Sequence, residues 1–323
     1  MSSATAARRG SRRAAAYRAR WSYVYLAPFV VLVAAFTIYP IIASLVYTLF
    51  KWNGVGSLDK YVGLDNFRQV LHDDIFWRSF GHSLQYTAVL VPVQLLLALV
   101  LALVLNNPRL RFSTFYRSVY FLPAVMSPAI LGVVFQMLLA NFGDRVGELL
   151  SAAGLPTRGI DWLADPSTVM WVIIVIGIWN TLGYNLVYFL AGLQTIPAEL
   201  YEAASIDGAD ARAKFWHVTL PGLREVGAMI AFLAVLGSLQ VFDLVQVLTG
   251  GGPYFASSVV NTYIYQHAFG GGLTANSTEI NVGFASAASF FYGLILMLVT
   301  VTQALVIYRI RRRNRPAGAG SGT

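Results

Sequence analysis

The sequence predicts an all-α integral membrane protein with six transmembrane helices. Hydrophobic residues make up 57% of the 323 residues and charged residues only 12%, and the mean hydropathy is +0.61. Soluble domains carry about 25% charged residues, so this chain has too little polar surface for a soluble core of its size. Six apolar runs reach the roughly 20 residues that a helix needs to cross a hydrocarbon layer of about 30 Å. The absence of cysteine excludes a disulfide framework and a thiolate metal site.

The six runs are long and nearly free of charge, with Asp243 as the single formal charge inside them. They cover Tyr23 to Phe50, Leu84 to Leu105, Ser118 to Ala140, Thr168 to Leu193, Val226 to Leu248 and Val282 to Tyr308. The first three contain Pro40, Pro92, Pro123 and Pro128. Prolines are tolerated in membrane helices because neighbouring helices satisfy the freed carbonyl groups. We therefore expect all six runs to span.

The distribution of basic residues predicts that both termini are cytoplasmic, because cytoplasmic flanks accumulate Lys and Arg. Residues 1–21 hold six arginines and no acid, and further basic residues follow the second run, the fourth run and the last run. These flanks are populated by Arg8, Arg9, Arg12, Arg13, Arg18, Arg20, Arg109, Arg111, Arg117, Arg212, Lys214, Arg224, Arg309, Arg311, Arg312, Arg313 and Arg315. The chain thus divides into a basic segment 1–21, a membrane domain 22–310 with a cytoplasmic loop at 195–223, and a flexible tail 311–323.

Two other interpretations of the basic N-terminus are disfavoured. The net charge of +8 is typical of nucleic-acid binding, but arginines clustered at segment ends are explained by topology and anionic lipid. A signal peptide has an apolar region of roughly 7 to 15 residues. The run from Tyr23 to Phe50 is longer and lacks a small-residue cleavage site, so we expect it to be retained.

The outer connections are polar or glycine-rich. Residues 51–80 mix acidic and basic residues, and a short interfacial helix is expected to begin at Asp65. Residues 141–167 include the turn-rich stretches 154–156 and 161–166. The third connection, 249–281, begins Thr249-Gly250-Gly251-Gly252-Pro253 and holds one charge, Glu279. A loop of this length is either flexible or extends toward a partner.

The cytoplasmic loop 195–223 carries helix signals in order. Pro197 suits a first helical turn, and Glu199 and Glu202 lie near the positive end of that helix. Gly208 can adopt the left-handed conformation that ends a helix. Asp210 is placed to cap a second short helix, which we expect Leu220-Pro221 to stop. Such an amphipathic surface suits a bilayer surface and a groove on another protein equally well.

The spacing in this loop resembles the EAA loop of permease subunits of binding-protein-dependent ABC importers. It reads Glu202-Ala203-Ala204, three residues, Gly208, nine residues, then Val218-Thr219-Leu220-Pro221, with Val218 where the family has Ile. The resemblance implies the ABC type I importer permease fold. It also implies that a separate ATPase binds this loop, through Glu202, Ala203, Ala204, Gly208, Leu220 and Pro221.

Further stretches are similar to the carbohydrate branch of that family, the maltose-type permeases. They are Val62-Gly63-Leu64-Asp65-Asn66-Phe67, Phe121-Leu122-Pro123, Trp162-Leu163-Ala164-Asp165-Pro166, and Phe242-Asp243 followed by Thr249-Gly250-Gly251-Gly252-Pro253. The maltose permease has extra N-terminal helices and a large outer domain that this chain lacks, so the smaller six-helix sugar permeases are the nearer model. The resemblance implies a bacterial inner membrane location and a sugar substrate.

The same resemblance implies a set of partners. They are a second permease in a heterodimer, two ATPase subunits that bind ATP and Mg, and an extracellular or periplasmic solute-binding protein. That protein is expected to contact Gly250, Gly251, Gly252 and Pro253. No cofactor is expected on this chain itself, which has no G-x-x-x-x-G-K-[ST] motif.

Polar side chains in the fourth and fifth runs are candidates for the substrate pathway. They are Asn180, Tyr184, Asn185, Tyr188, Gln240, Asp243 and Gln246. Gln240 and Gln246 lie three residues to either side of Asp243, which places them on one face of a continuous helix. Amides, a carboxylate and aromatic rings suit a sugar. Polar residues in membranes also join helices by hydrogen bonds, and this alternative stays open.

Two other function classes fit the sequence less well. An ion-coupled secondary transporter would use Asp243 as its coupling site, but it would not need the 202–221 pattern. A membrane-embedded enzyme would need a nucleophile or metal constellation. The four histidines, His72, His82, His217 and His267, are scattered along the chain and do not indicate one.

Overall fold

The computed structural model describes residues 24–107, 110–152, 161–270 and 280–314. The arginines of the N-terminal segment, Arg109, residues 154–156, Glu279 and Arg315 lie outside these ranges. The described part is helical, with one isolated bridge between Phe50 and Tyr61. Five of its helices are long and apolar enough to cross a membrane, and a bent pair makes a sixth span. The predicted all-α fold class with six spans is confirmed.

The helices are numbered along the chain. They are α1 (Val24–Tyr47, with a π segment at Ala34–Ile38), α2 (Asp65–His72), α3 (Asp74–Leu105), α4 (Ser113–Val125), α5 (Pro128–Ala152), α6 (Val169–Gln194), α7 (Ala198–Ile206), α8 (Ala211–Lys214), α9 (Leu220–Leu239), α10 (Asp243–Leu248), α11 (Val260–Phe269) and α12 (Val282–Asn314). A π turn, Phe215–Thr219, joins α8 to α9.

The centre of the fold is the pair α3 and α6, against which α4 and α9 also pack. Three buried apolar clusters hold these helices together. The first joins α3, α6 and α10 and includes Leu90, Ile173 and Val245. The second joins α3, α6 and α9 and includes Ala98, Leu186 and Leu223. The third joins the outer ends of α3, α11 and α12 and includes Phe76, Tyr263 and Ala287. The first helix, α1, is not buried by the rest of the chain.

Two spans differ from the sequence prediction, the second in where it begins and the third in its shape. The second starts at Asp74 instead of Leu84, because the Asp73 carboxylate accepts hydrogen bonds from the backbone N–H groups of Ile75 and Phe76 at 2.8 and 3.2 Å. The third is not straight: Ser113–Val125 and Pro128–Ala140 meet at 92°. Pro128 lacks the N–H that would continue the helix and disfavours helical geometry in the residue before it.

The fifth span also departs from the prediction. Leu220-Pro221 does not stop the helix that Asp210 caps, because helix, π turn and α9 run on continuously from Ala211 to Leu239. Pro221 occupies the first turn of α9, where its missing N–H is tolerated. The helix is interrupted instead at residues 240–242, before α10 begins at Asp243.

The outer connections are more helical than expected. The short helix predicted to begin at Asp65 is present as α2. The second connection is shorter, because α5 continues to Ala152. The third contains α11, Val260–Phe269, which is packed between α3 and α12. That helix gives residues 249–259 a rigid neighbour.

Candidate functional site

A cavity of about 440 Å³ lies between α3, α6, α9 and the start of α10. Six of the seven predicted pathway residues line it, although they come from two separate spans. The lining polar side chains are Tyr86, Gln94, Asn180, Thr181, Tyr184, Asn185, Tyr188, Ser238, Gln240 and Asp243. Among the described lining residues, Asp243 is the only carboxylate, and none is basic.

The floor of the cavity depends on a close approach between α3 and α6. A Cβ atom placed on Gly177 would lie 2.3 Å from the Tyr86 hydroxyl and 2.8 Å from Leu90 Cδ1. Small residues at such positions let membrane helices pack closely. A Cβ atom placed on Gly237, in the lining helix α9, would meet nothing within 4 Å. The helix packing is therefore close at Gly177 and open at Gly237.

Two of the predicted residues also hold the bent third span in place. The Asn180 side-chain amide donates to the Pro123 carbonyl at 2.8 Å, and the Tyr184 hydroxyl donates to the Ala124 carbonyl. Both carbonyls lie in the last turn of α4, which ends at Val125, and the Pro123 carbonyl also accepts from the backbone N–H of Met126 at 3.2 Å. The hydrogen-bonding role left open by the sequence therefore applies to Asn180 and Tyr184. Both residues nevertheless line the cavity, and Tyr184 remains 43% exposed.

A second polar group was not predicted. The Thr181 hydroxyl donates to Gln94 Oε1, and the Asn185 amide donates to the Thr181 carbonyl at 3.1 Å. Gln94 is buried and lies within an otherwise apolar stretch of α3. An amide in the middle of an apolar run was the available signal. Gln94, Thr181, Tyr86 and Ser238 are thus additions to the candidate site.

Gln246 does not line the cavity, and the predicted alignment of Gln240 with Asp243 and Gln246 is wrong. The break at residues 240–242 separates Gln240 from α10, which contains both Asp243 and Gln246, so Gln240 does not continue their helix face. Gln240 and Asp243 are exposed on the cavity side. The Oε1 atom of Gln246 is buried and has no hydrogen-bond partner in the described part of the chain.

The cytoplasmic loop has the geometry that its sequence predicts up to residue 214. Gly208 has φ +76°, the left-handed conformation, at the end of α7. The Asp210 carboxylate accepts from the backbone N–H of Ala213 at 2.7 Å. Glu202 and Ala203 are exposed, and Ile206 is 87% exposed.

The rest of the predicted coupling set lies nearby. Ala204 is half-buried, whereas Leu220 and Pro221 are exposed at the beginning of α9. Leu220 and Pro221 thus begin a membrane-spanning helix and do not terminate the preceding one.

The glycine-rich loop is anchored to the fold. Gly250, Gly251 and Gly252 are buried. The Gln266 amide donates to the Gly250 carbonyl at 2.6 Å, and the Ser257 hydroxyl donates to the Gly252 carbonyl at 2.5 Å. Pro253 is half-buried, and the following Tyr254 is 87% exposed. The side chain that this loop presents is therefore Tyr254, which the sequence did not single out.

The histidines do not gather into a site. Within the described ranges, no three His, Cys, Asp or Glu side chains are placed to hold a metal ion. His267 packs on Tyr263 with ring centroids 4.2 Å apart. Burial lowers the pKa of His267, against smaller opposing effects of the Tyr263 carbonyl and the Asp73 carboxylate. These residues belong to the outer cluster of α3, α11 and α12.

Known proteins are similar to this chain in sequence and in fold. The family model described as "Binding-protein-dependent transport system inner membrane component" matches residues 94–315. The lactose transport system permease protein LacF of Rhizobium radiobacter is 34% identical over 293 residues, covering 90% of this chain and 94% of its own. The probable ABC transporter permease protein YurN of Bacillus subtilis is 31% identical over 285 residues, covering 88% and 93%.

One solved structure has the same architecture. It is a bacterial ABC transporter involved in the import of the acidic polysaccharide alginate, with a TM-score of 0.75, 22% identity, and coverage of 91% of this chain and 97% of that chain. At this identity the likeness concerns the fold. The chain belongs to the family of binding-protein-dependent transport system inner membrane components.

Proposed function

We propose that this multi-pass membrane permease passes a carbohydrate from an external solute-binding protein to the cytoplasm. The observation that carries the proposal is the cavity lined by Asn180, Asn185, Gln240 and the Tyr184 and Tyr188 rings. Its volume of about 440 Å³ lies within the roughly 300–1,000 Å³ range of small-molecule sites. Amides supply donors and acceptors for hydroxyl groups, and aromatic rings pack on the apolar faces of a sugar.

The names of relatives support the same substrate class. LacF is described as a lactose transport system permease, and MsmF of Streptococcus mutans, 29% identical, as a multiple sugar-binding transport system permease. AraP of Bacillus subtilis, 31% identical, is named for arabinooligosaccharides. These substrates differ in size, so the proposal extends to carbohydrates as a class and not to one sugar.

We further propose that ATP hydrolysis is supplied by two partner ATPase subunits, which bind ATP and Mg. The exposed side chains of α7, including Glu202 and Ile206, form the docking surface, with Gly208 setting the angle at which the chain leaves the helix. A second, homologous permease completes the pathway as a heterodimer. The ordered glycine loop presents Tyr254 and Pro253 to the solute-binding protein.

Ion-coupled transport receives less support from the geometry. Asp243 is exposed at a helix interruption and is not buried within the bundle. It is the only carboxylate among the described lining residues, so no second acid is placed there to share a proton or cation.

Sugar uptake by paired variants tests the proposed pathway. Gln240→Ala and Asn185→Ala are expected to lower uptake while the assembled transporter is recovered in normal amount, because each removes a cavity amide. Gln246→Ala, which removes an amide outside the cavity, is the matched control and keeps wild-type uptake. Normal uptake by both cavity variants would contradict the proposed sugar contact.

Purification of the tagged chain tests the proposed partners. An ATPase and a second permease are expected to come with the wild-type protein. Glu202→Lys combined with Gly208→Leu is expected to lose the ATPase while the chain still inserts in the membrane. Retention of the ATPase and of ATP-dependent import by that double variant would refute the docking surface.

A further inference from the structure

The helix α7 stands apart from the helical bundle. None of its residues, Ala198–Ile206, is buried. The chain joins it to α6 at one end and to α8 at the other, through short non-helical connections. Two side-chain hydrogen bonds link its body to residues beyond Gly208: Tyr201 with Thr219 at 3.1 Å, and Lys214 with Ser205 at 2.7 Å. These two hydrogen bonds are routes by which a displacement of α7 reaches the residues beyond Gly208.

The two hydrogen bonds differ in where they end. The Ser205–Lys214 bond is exposed, and Lys214 belongs to the short helix α8 next to α7. The Tyr201 hydroxyl instead contacts Thr219, which is only 4% exposed. Thr219 is the last residue of the π turn and directly precedes α9. The Tyr201 bond therefore reaches the buried base of α9, whereas the Lys214 bond ends at α8, the start of the same continuous helix.

The helix that begins after Thr219 lines the cavity. Leu233, Ala234, Gly237 and Ser238 of α9 all contribute to the cavity wall. The π turn at its base has a wider hydrogen-bond ring, with the Leu220 N–H bonded to the Phe215 carbonyl. Such turns interrupt the regular α-helical ladder and are frequent at functional sites. A change in position at Thr219 is thus transmitted along α9 to the cavity.

We propose that the Tyr201–Thr219 hydrogen bond is a latch that makes α9 follow the movements of α7. Tyr201 is in this account a positioning residue, because it acts through Thr219 and touches no substrate. When α7 is moved by its ATPase partner, the latch carries the π turn and α9 with it, and the cavity wall shifts. Without the latch, α7 and α9 are joined through the chain and the exposed Ser205–Lys214 bond, and α9 lags behind. The inference rests on the proposed ATPase docking.

The test uses the complete transporter, reconstituted in vesicles with its ATPase and solute-binding protein. The measured quantity is the amount of sugar imported per ATP hydrolysed. Tyr201→Phe removes only the tyrosine hydroxyl, and Thr219→Val replaces the threonine hydroxyl by a methyl group of similar size. Each is expected to lower the ratio about fivefold, the factor that corresponds to one hydrogen bond of ordinary net strength. Thr302→Val, which removes an exposed hydroxyl that donates within α12 to the Leu298 carbonyl at 2.8 Å, is the matched control and is expected to leave the ratio unchanged.

The double variant Tyr201→Phe/Thr219→Val separates the latch from two independent structural effects. If the hydroxyls act through each other, the double variant is no worse than either single variant. A wild-type ratio in Tyr201→Phe, or losses that multiply in the double variant, would overturn the latch. So would loss of the ATPase from the purified Tyr201→Phe complex, since Tyr201 would then hold the ATPase itself. If the wild-type chain retained no ATPase, the proposed docking would fall, and the latch with it.

Discussion

The contact between Gly177 and Tyr86 makes a sharp prediction about the floor of the cavity. In Gly177→Ala the new Cβ meets the Tyr86 hydroxyl at 2.3 Å and Leu90 Cδ1 at 2.8 Å. Both partners are buried, at 3% and 1% exposed, and both line the cavity, so relieving the contact requires a buried side chain to shift into it. Gly237→Ala is the matched control, because it lies in a helix that lines the same cavity and its Cβ meets nothing within 4 Å.

The magnitude follows from comparing the two variants. Alanine is favoured over glycine in a helix by about 1 kcal/mol, and this gain applies to both. Overpacking a buried contact costs about 1–3 kcal/mol, and this cost applies only at Gly177. We therefore expect the free energy of unfolding of Gly177→Ala to lie about 1–3 kcal/mol below that of Gly237→Ala.

Unfolding of the purified protein in detergent, by heat or denaturant, measures this difference. Adding Tyr86→Phe to Gly177→Ala removes the nearest atom and leaves Tyr86 Cζ at 3.1 Å, so stability should return in part. Equal stability of the two alanine variants would refute the close packing of α3 on α6. A Tyr86→Phe change that restores nothing would show that the hydroxyl is not the obstacle.

Two other predictions concern the outer side of the bundle. Gly283→Ala places a Cβ 1.9 Å from the backbone carbonyl oxygen of Phe50, and because backbone cannot rotate away, its melting temperature should fall by more than that of Gly177→Ala. Burial lowers the pKa of His267 in the folded state. The stability that neutral His267 contributes is therefore fully present above the unfolded pKa of about 6.5 and is lost as the pH falls through the lower folded pKa. His267→Gln removes this contribution, so the free energy of unfolding, measured between pH 5 and 8, should fall less steeply as the pH is lowered. A wild-type pH dependence in this variant would contradict the prediction.

The sequence by itself determined the fold class, the number of spans and the position of the amphipathic loop. These depend on local quantities: apolar runs as long as a bilayer is thick, Gly208 where a left-handed residue ends α7, and Asp210 where a carboxylate caps the next helix. Each is set by residues close together in the chain. The polar residues of the cavity could also be named, because a polar side chain inside an apolar run is conspicuous.

Tertiary structure alone decided which of those residues meet. Gln240 and Gln246 look equivalent in the sequence, yet the interruption at residues 240–242 places only Gln240 in the cavity. Gln94 becomes part of the site because α3 packs on α6, which brings Thr181 within hydrogen-bond distance. Likewise, Tyr201 meets Thr219, 18 residues further along the chain, across the turn at Gly208 between α7 and α8. Contacts between distant segments depend on how helices pack and bend, and the local pattern of one helix does not contain that information.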